Sequence, residues 1–443
     1  RWLGQILRRG GMAQSAGVVF IGGATARLLG FLFSVATARL LVPSEFGRMI
    51  YVLAVVAVAS VFMTSAPQGL SRFLSLHRDD PSAQAAAYTN WLAVVAVILV
   101  LSIALAPAVG FVARTSAVMT VGVVANLFGI AVLATYREVQ RGLGRYGVMM
   151  AFYVLANLLQ LVVVVALGLA GWRSAELFVV VYGLSSVVAL VVVQLAAPLH
   201  LRFSPGALSW SLMLGTLRFN RWILLQSVFF AVWYSADLLV VGRIVSSSAA
   251  GNYGTAKTFA LALSLAPGAI ATIMLPQVAR LPPQSVTRYL LRSLAFAAAV
   301  TVPPALALAM LGRPLILLLF GGKYADASQP LVVLAIGMTA YGFYFVLGSL
   351  WIGLGRPLID MLATGTGMMT TVVLAVILVP EHALAGGAIA FTAGSTIRLI
   401  VIGAYTWWEL SRGSWKAHPT LGSEAGGPVV PGNDEPPPTA PRG

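Results

Sequence analysis

Long apolar runs recur along the chain from Ala13 to Trp408, and the breaks between them are short, basic and marked by glycine or proline. A helix needs about 20 apolar residues to cross the hydrocarbon core. Only helices and closed barrels can satisfy every backbone N–H and C=O there. The runs have helical length, so the chain reads as an all-α polytopic bundle with the membrane as its solvent. Composition agrees, with 59% hydrophobic and 9% charged residues, against roughly 45–50% and about 25% in soluble domains.

The runs predict about 12 transmembrane helices. The first six cover residues 13–41, 49–68, 88–112, 116–136, 149–170 and 175–197; the second six cover 221–244, 256–277, 293–311, 331–353, 357–379 and 384–408. The domains expected are an interfacial N-terminal segment (1–12), an N-lobe (13–198), an inter-lobe linker (199–220), a C-lobe (221–410) and a tail (411–443). The tail carries Pro436-Pro437-Pro438 and several glycines, too few apolar residues to offset the entropy of ordering it. The first residue is Arg1, so residues upstream of it are expected.

Lys and Arg concentrate on the cytoplasmic side of short loops. With the N-terminus inside, the inner segments hold 18 of the 28 basic residues and the outer segments 8, with Arg27 and Arg398 inside spans. Both termini are therefore expected in the cytoplasm.

The formal charge of +15 does not mark a nucleic-acid binder, because its basic residues lie between spans and form no aromatic-rich basic domain. Cysteine is absent, which removes disulfides, thiolate metal sites and cysteine nucleophiles. No phosphate-binding glycine loop or zinc-type His-Glu pattern occurs, and the 4 histidines lie near loops or the tail. No catalytic function and no bound cofactor beyond a coupling ion is expected.

The two halves repeat. At an offset of 204, Arg39, Gly47 and Ser60 match Arg243, Gly251 and Ser264; at 211, Gly142-Leu143-Gly144-Arg145 matches Gly353-Leu354-Gly355-Arg356, and Met150 matches Met361. Each half has an even number of spans, so the repeat is parallel, about an axis normal to the membrane.

The stretch Leu41-Val42-Pro43-Ser44-Glu45-Phe46-Gly47 resembles the first-loop signature of the polysaccharide transporter (Wzx-like) family, within the multidrug and oligosaccharidyl-lipid flippase (MOP) superfamily. Ala250-Gly251-Asn252-Tyr253, Leu275-Pro276, Leu319-Phe320-Gly321 and Ala385-Gly386-Gly387-Ala388-Ile389-Ala390 fit the same pattern in order and spacing. The resemblance implies a V-shaped, MATE-like bundle of two six-helix lobes. Physically, Ser44 is placed to cap the second span, with Glu45 suiting the positive helix start.

Charges at bilayer depth are costly, so each is a functional candidate until a structural partner is found. Arg27 shares a helical face with Gly23, Gly30 and Ser34. The resemblance places cationic residues of the first span in a central cavity, which favours Arg27 as substrate-binding over a structural pair with an acid. Lys257, at the start of the eighth span, resembles a basic position of lipid-linked sugar flippases; interfacial snorkelling is the alternative. Arg398 either joins that positive cavity or answers Asp237 or Asp360. Asp237 is a candidate for a coupling ion, Na⁺ or H⁺, with Asp360, Thr364, Thr371 and Ser395 as further oxygens of the type a hard cation prefers. Its other reading is a pair with Arg243 or Arg398. Asn126, Asn157 and Gln160 are expected to tie helices together. Pro67, Pro107, Pro267 and Pro303-Pro304 allow bends.

The function this implies is a flippase moving an undecaprenyl-pyrophosphate type oligosaccharide precursor from inner to outer leaflet of a bacterial inner membrane, with cation coupling. Membrane lipids and a glycan polymerase or other polysaccharide-assembly protein are the expected partners. The rival readings are a lipid II flippase-like protein, a multidrug antiporter and, from another class, a membrane glycosyltransferase or polymer ligase. That last class needs a large external loop, and the longest one read here holds about twenty residues.

Overall fold

The computed structural model describes residues 12–412, apart from 66, 78–79, 114–115, 200, 202 and 279–280. The expected N-terminal segment, up to residue 11, and the tail beyond residue 412 lie outside the described residues.

Every described element is helical. The first half contains α1 (Met12–Leu40), α2 (Pro43–Ala59), α3 (Val61–Ser65), α4 (Gln68–Leu76), α5 (Pro81–Ala113), α6 (Ala117–Gly142), α7 (Tyr146–Leu169) and α8 (Ala175–Ala196). The second contains α9 (Trp210–Ile244), α10 (Ser247–Ala262), α11 (Leu265–Val278), α12 (Pro283–Leu319), α13 (Ser328–Gly353) and α14 (Pro357–Ser411). The last helix runs through a sharp kink at Ala383, where φ is 45°. Among the described residues, nine helices are long and apolar enough to cross a membrane, or ten if the pair α2 and α3–α4, bent by 57°, is one span.

The chain is thus a multi-pass helical membrane protein, and its second span in each half is broken. Ser60 ends α2 and Ser264 precedes α11, 204 residues apart; their hydroxyls donate to the carbonyls of Ala57 and Leu261, also 204 apart. The sequence boundaries at both places were too late. The second span starts at Pro43, with Val42 rather than Ser44 at the N-cap, because Pro43 at the first helical position needs no N–H partner. The eighth begins at Ser247, capped by Ser246. Residues 247–255 are rich in Ser, Ala and Gly and escape a hydropathy reading, yet most are buried against protein instead of lipid.

The offset-211 match is equally structural. Gly144 (φ 69°) and Gly355 (φ 78°) occupy the left-handed position after α6 and α13. Arg145 N–H donates to the Gln140 carbonyl and Arg356 N–H to the Trp351 carbonyl, both at 2.8 Å. These are paired Schellman caps, a conformation that glycine adopts without cost.

Helices α1–α8 form one lobe and α9–α14 the other. The lobes meet chiefly where α2 packs on α10 and α9. Gly47 lies against the Ser247 carbonyl and Gly251 against the Pro43 carbonyl, so a Cβ at either glycine would overlap backbone. Residues 43 and 47 are the repeat mates of 247 and 251, so this seam is a two-fold self-complementary contact. It closes the end of the bundle that carries the α1–α2, α9–α10 and α12–α13 connections.

The expected linker is partly helical, since α9 begins at Trp210, inside it. Residues 204–209 are tied to α5: Thr89 Oγ1 accepts from Ser204 N–H (2.9 Å), and Asn90 bonds Ser209 N–H and the Ala207 carbonyl, both at 2.8 Å.

Candidate functional site

In the C-lobe, α9 and α10 place Asp237 opposite Lys257. The ammonium lies 2.7 and 2.8 Å from the two carboxylate oxygens, and Tyr253 OH donates to Oδ2 at 2.6 Å. Lys257 also donates to the Tyr234 carbonyl and sits over the Tyr234 and Phe391 rings at 4.8 and 4.7 Å. Both side chains are buried, at 5% and 0% exposure. Asp237 therefore pairs with neither Arg243 nor Arg398, and Lys257 does not snorkel, because the helix start at Ser247 carries it three turns inward.

Arg398, 1% exposed on α14, stands in an aromatic cage. Its guanidinium is 3.8 Å from the Tyr344 ring centroid, 4.2 Å from Trp233, 5.4 Å from Tyr341 and 5.9 Å from Phe230. Nη2 donates to Thr364 Oγ1 at 3.2 Å, while Nε and Nη1 have no hydrogen-bond partner among the described residues. Thr364 joins Tyr344 OH at 2.8 Å, and Tyr344 and Gln226 both donate to Asp360. Arg398 thus faces Asp360 through two hydroxyls instead of an ion pair. Four aromatic faces supply the electrostatic compensation that a carboxylate would otherwise give.

The expected cation ligands fall into separate places. Asp237 belongs to the Lys257 group and Asp360 with Thr364 to the Arg398 group. Ser395 Oγ donates to its own helix at the Phe391 carbonyl, and Thr371 Oγ1 has no partner. No group of three or more His, Asp or Glu suited to a metal occurs among the described residues. Asp237 has both oxygens engaged, so the arrangement does not offer Na⁺ the several open oxygens it requires.

Arg27 is different in kind. Its side chain is exposed, leaves α1 of the N-lobe and approaches the C-lobe, with Nη1 and Nη2 3.7 and 3.9 Å from where a Cβ on Gly268 would sit. Phe345 Cε1 is 3.4 Å from the same point. Tyr341, stacked on Phe345, stands within electrostatic reach of both Arg27 and Arg398. Among the described residues Arg27 makes no ion pair, unlike Lys257.

The residues that sequence reasoning missed are the aromatic and amide partners: Tyr253, Tyr344, Trp233, Tyr341 and Gln226. Tyr253 and Tyr344 each lie 16 residues from the acid they bond. An OH on the helix next to each buried acid is a usable sequence signal. The three amides behave less uniformly than expected: Asn126 reaches the Val179 carbonyl (2.6 Å) and Gln160 the Tyr182 carbonyl (3.0 Å), joining helices, whereas the Asn157 amide bonds its own helix at Tyr153.

Comparison with known proteins places this geometry. A profile described as "polysaccharide biosynthesis protein" matches residues 36–329. The inner membrane protein YghQ of Escherichia coli (strain K12) is 35% identical over 95 residues, 21% of this chain and 27% of that protein. The aligned stretch therefore spans about a quarter of that relative's length. Among solved structures, the lipid II flippase MurJ in an inward closed conformation superposes with a TM-score of 0.73 at 13% identity, covering 88% of this chain and 87% of MurJ. An inward-facing multidrug resistance MATE transporter of the MOP superfamily gives 0.74 at 14% identity, covering 88% and 95%. An outward-facing MATE transporter gives 0.65 at 15% identity, covering 92% and 98%. The fold is therefore shared with these MurJ and MATE structures, and the chain belongs to the polysaccharide biosynthesis protein family.

Proposed function

We propose that this protein flips a lipid-linked oligosaccharide of undecaprenyl-pyrophosphate type from the inner to the outer leaflet by alternating access. The observation that carries the reading is Arg27: a cation on an apolar span of the N-lobe that approaches the C-lobe at Gly268, exposed and with no carboxylate partner among the described residues. Such a charge is held only where an anion or water meets it. The lipid tail stays in the bilayer while the seam shields the diphosphate and sugar, the parts that hydrocarbon rejects. The excess of basic residues in the connections opposite the closed seam supports an opening toward the cytoplasm.

Coupling follows from the Lys257–Asp237 pair. A diphosphate recruits Lys257 only if Asp237 is neutralised, since stranding a buried carboxylate is costly. Protonation does this without new ligands, whereas Na⁺ finds no assembled oxygen cage here, so the coupling ion proposed is H⁺.

Reconstituted vesicles carrying the lipid-linked saccharide test both parts. Arg27→Ala abolishes flipping at normal protein level, and Arg27→Lys retains more activity. An imposed proton gradient changes the wild-type rate, and Asp237→Asn loses that response. Wild-type flipping by Arg27→Ala overturns the headgroup role, and a gradient response by Asp237→Asn equal to wild type overturns the coupling role.

A further inference from the structure

The closed end of the bundle carries three basic side chains whose acceptors are neutral. Arg39, at the end of α1, donates to the Leu318 and Leu319 carbonyls at the end of α12, the latter at 2.7 Å. Lys323 returns the contact, donating to the Arg39 carbonyl at 3.1 Å and to the Leu41 carbonyl. Beside it, Tyr324 OH reaches the Ala38 carbonyl at 3.1 Å. Each lobe thus caps the C-terminal carbonyls of a helix from the other lobe. Carbonyls at a helix C-terminus lack intrahelical donors and attract cations.

Arg173, in the α7–α8 connection, stands close enough to Lys323 to repel it, as Arg39 does. The one hydrogen bond described for its side chain is a long one, 3.4 Å, to the Gly168 carbonyl. All three side chains are exposed. Among the described residues none makes an ion pair, although Arg48, Arg141, Lys257 and Arg356 elsewhere each have a carboxylate. Glu45 and Glu176 nearby are engaged with Arg48 and Ser116, so three like charges gather at one mouth without a carboxylate paired to them among the described residues, an arrangement that an anion stabilises.

We propose that Arg39, Arg173 and Lys323 form a binding site for a phosphate-bearing headgroup that doubles as the latch of this mouth. Without the anion, Arg39 and Lys323 hold the opposite lobe's carbonyls and the mouth is shut. A diphosphate offers charged acceptors, which make stronger hydrogen bonds than carbonyls and match the guanidinium fork. Both cations then leave the carbonyls and the two helix ends separate. The site rests on the flippase reading for its natural ligand, a headgroup arriving at the mouth as it leaves the seam.

The chain has no cysteine, so a spin-label pair at Val42→Cys and Val245→Cys, exposed residues of opposite lobes beside the seam, reports mouth opening directly. The protein is placed in phosphatidylcholine nanodiscs and titrated with inorganic pyrophosphate. The expected result is a shift toward longer distances that sodium sulfate at equal ionic strength does not reproduce. Arg173→Gln, which makes no cross-lobe contact, keeps the shut distance and needs about tenfold more pyrophosphate, the loss of roughly one charge-assisted bond. Arg39→Gln opens partly without any anion. An unchanged distance on adding pyrophosphate, or an Arg173→Gln titration identical to the parent, overturns the site. Opening in phosphatidylglycerol nanodiscs without pyrophosphate would support the same chemistry and assign it to bilayer lipid instead of cargo. Flipping is assayed separately: an intact flipping rate with an unresponsive mouth rejects the latch alone, while a responsive mouth without flipping rejects the transport reading alone.

Discussion

The two lobes share one frame and differ in what fills it. Both break their second span at a serine and close the fourth with a glycine cap, at fixed offsets of 204 and 211. Carrying the C-lobe's interior charges across by those offsets lands on apolar residues: Asp237 on Phe33, Lys257 on Leu53, Asp360 on Met149 and Arg398 on Val187. Their aromatic and hydroxyl partners follow, with Tyr253 on Met49 and Tyr344 on Leu133. Among the described residues the N-lobe's buried polar groups are mainly neutral, such as Asn126 and Gln160, and its buried charge, Glu138, sits near the end of α6 beside Arg141. Backbone geometry that the repeat needs is thus kept in both lobes, whereas the charge is carried by one. The N-lobe instead presents Arg27 outward, to the seam. One lobe stores charge and the other displays it.

The sharpest way to break that contrast is to strand one of the stored charges. Lys257→Met leaves Asp237 buried without its cation, and breaking a buried pair from one side costs about 3–5 kcal/mol. Adding Asp237→Leu removes the stranded charge and should recover most of the loss. The N-lobe counterpart Leu53→Met changes shape but strands nothing, for less than about 1.5 kcal/mol. Thermal unfolding in detergent ranks the three variants. A Lys257→Met protein as stable as Leu53→Met would mean that the C-lobe charge is not stored by pairing at all.

A smaller effect tests the shared part of the frame, the glycine seam. Gly47→Ala and Gly251→Ala each push a methyl into the opposite lobe's backbone, an overpacking cost of about 1–3 kcal/mol. Because the contact is reciprocal, both should weaken closure by similar amounts, read as reduced disulfide formation between Val42→Cys and Val245→Cys. A large effect from one and none from the other would show the seam to be asymmetric.

The sequence carried the repeat and four of the described buried charges, Asp237, Lys257, Asp360 and Arg398, because lipid imposes one helical length and makes a charge inside a span conspicuous; Glu138 and Glu409, near helix ends, did not stand out. It did not carry the pairing. For Lys257 the sequence offers a substrate-binding cation or interfacial snorkelling and not the pair with Asp237, since the preceding Ser247–Thr255 stretch is polar, yet a helix packed against other helices needs small residues and no apolar surface. Arg398 looked like a partner for an acid because four aromatic rings, two on α9 and two on α13, cannot be seen converging from their spacing. The cap at Ser44 was misplaced for a local reason: Pro43 pre-sets the helical φ and starts the helix one residue before a serine cap would.

The smallest effect concerns how each lobe ties off its last helix. Arg145 and Arg356 both follow a left-handed glycine, and each reaches back to the end of the lobe's final span. In the N-lobe the guanidinium meets neutral acceptors, the Pro198 and Ala197 carbonyls at 3.3 and 3.5 Å, in an exposed setting. In the C-lobe the position equivalent to Pro198 is Glu409, and Arg356 pairs with it at 2.6 Å with side-chain exposures of 19% and 9%. The same frame therefore holds a screened cation–carbonyl contact in one lobe and a half-buried ion pair in the other. Arg145→Gln keeps a donor near the carbonyls and should cost less than about 1 kcal/mol, whereas Arg356→Gln strips the charge partner of a largely buried carboxylate and should cost about 1–3 kcal/mol. Salt separates the mechanisms further, because exposed electrostatics are screened and a half-buried pair much less so. Unfolding measured at low and high ionic strength should shrink the Arg145 effect toward zero and leave most of the Arg356 effect. Equal costs, or an Arg356 effect abolished by salt, would show that the C-lobe's preference for stored charge stops short of the end that carries the α13–α14 connection.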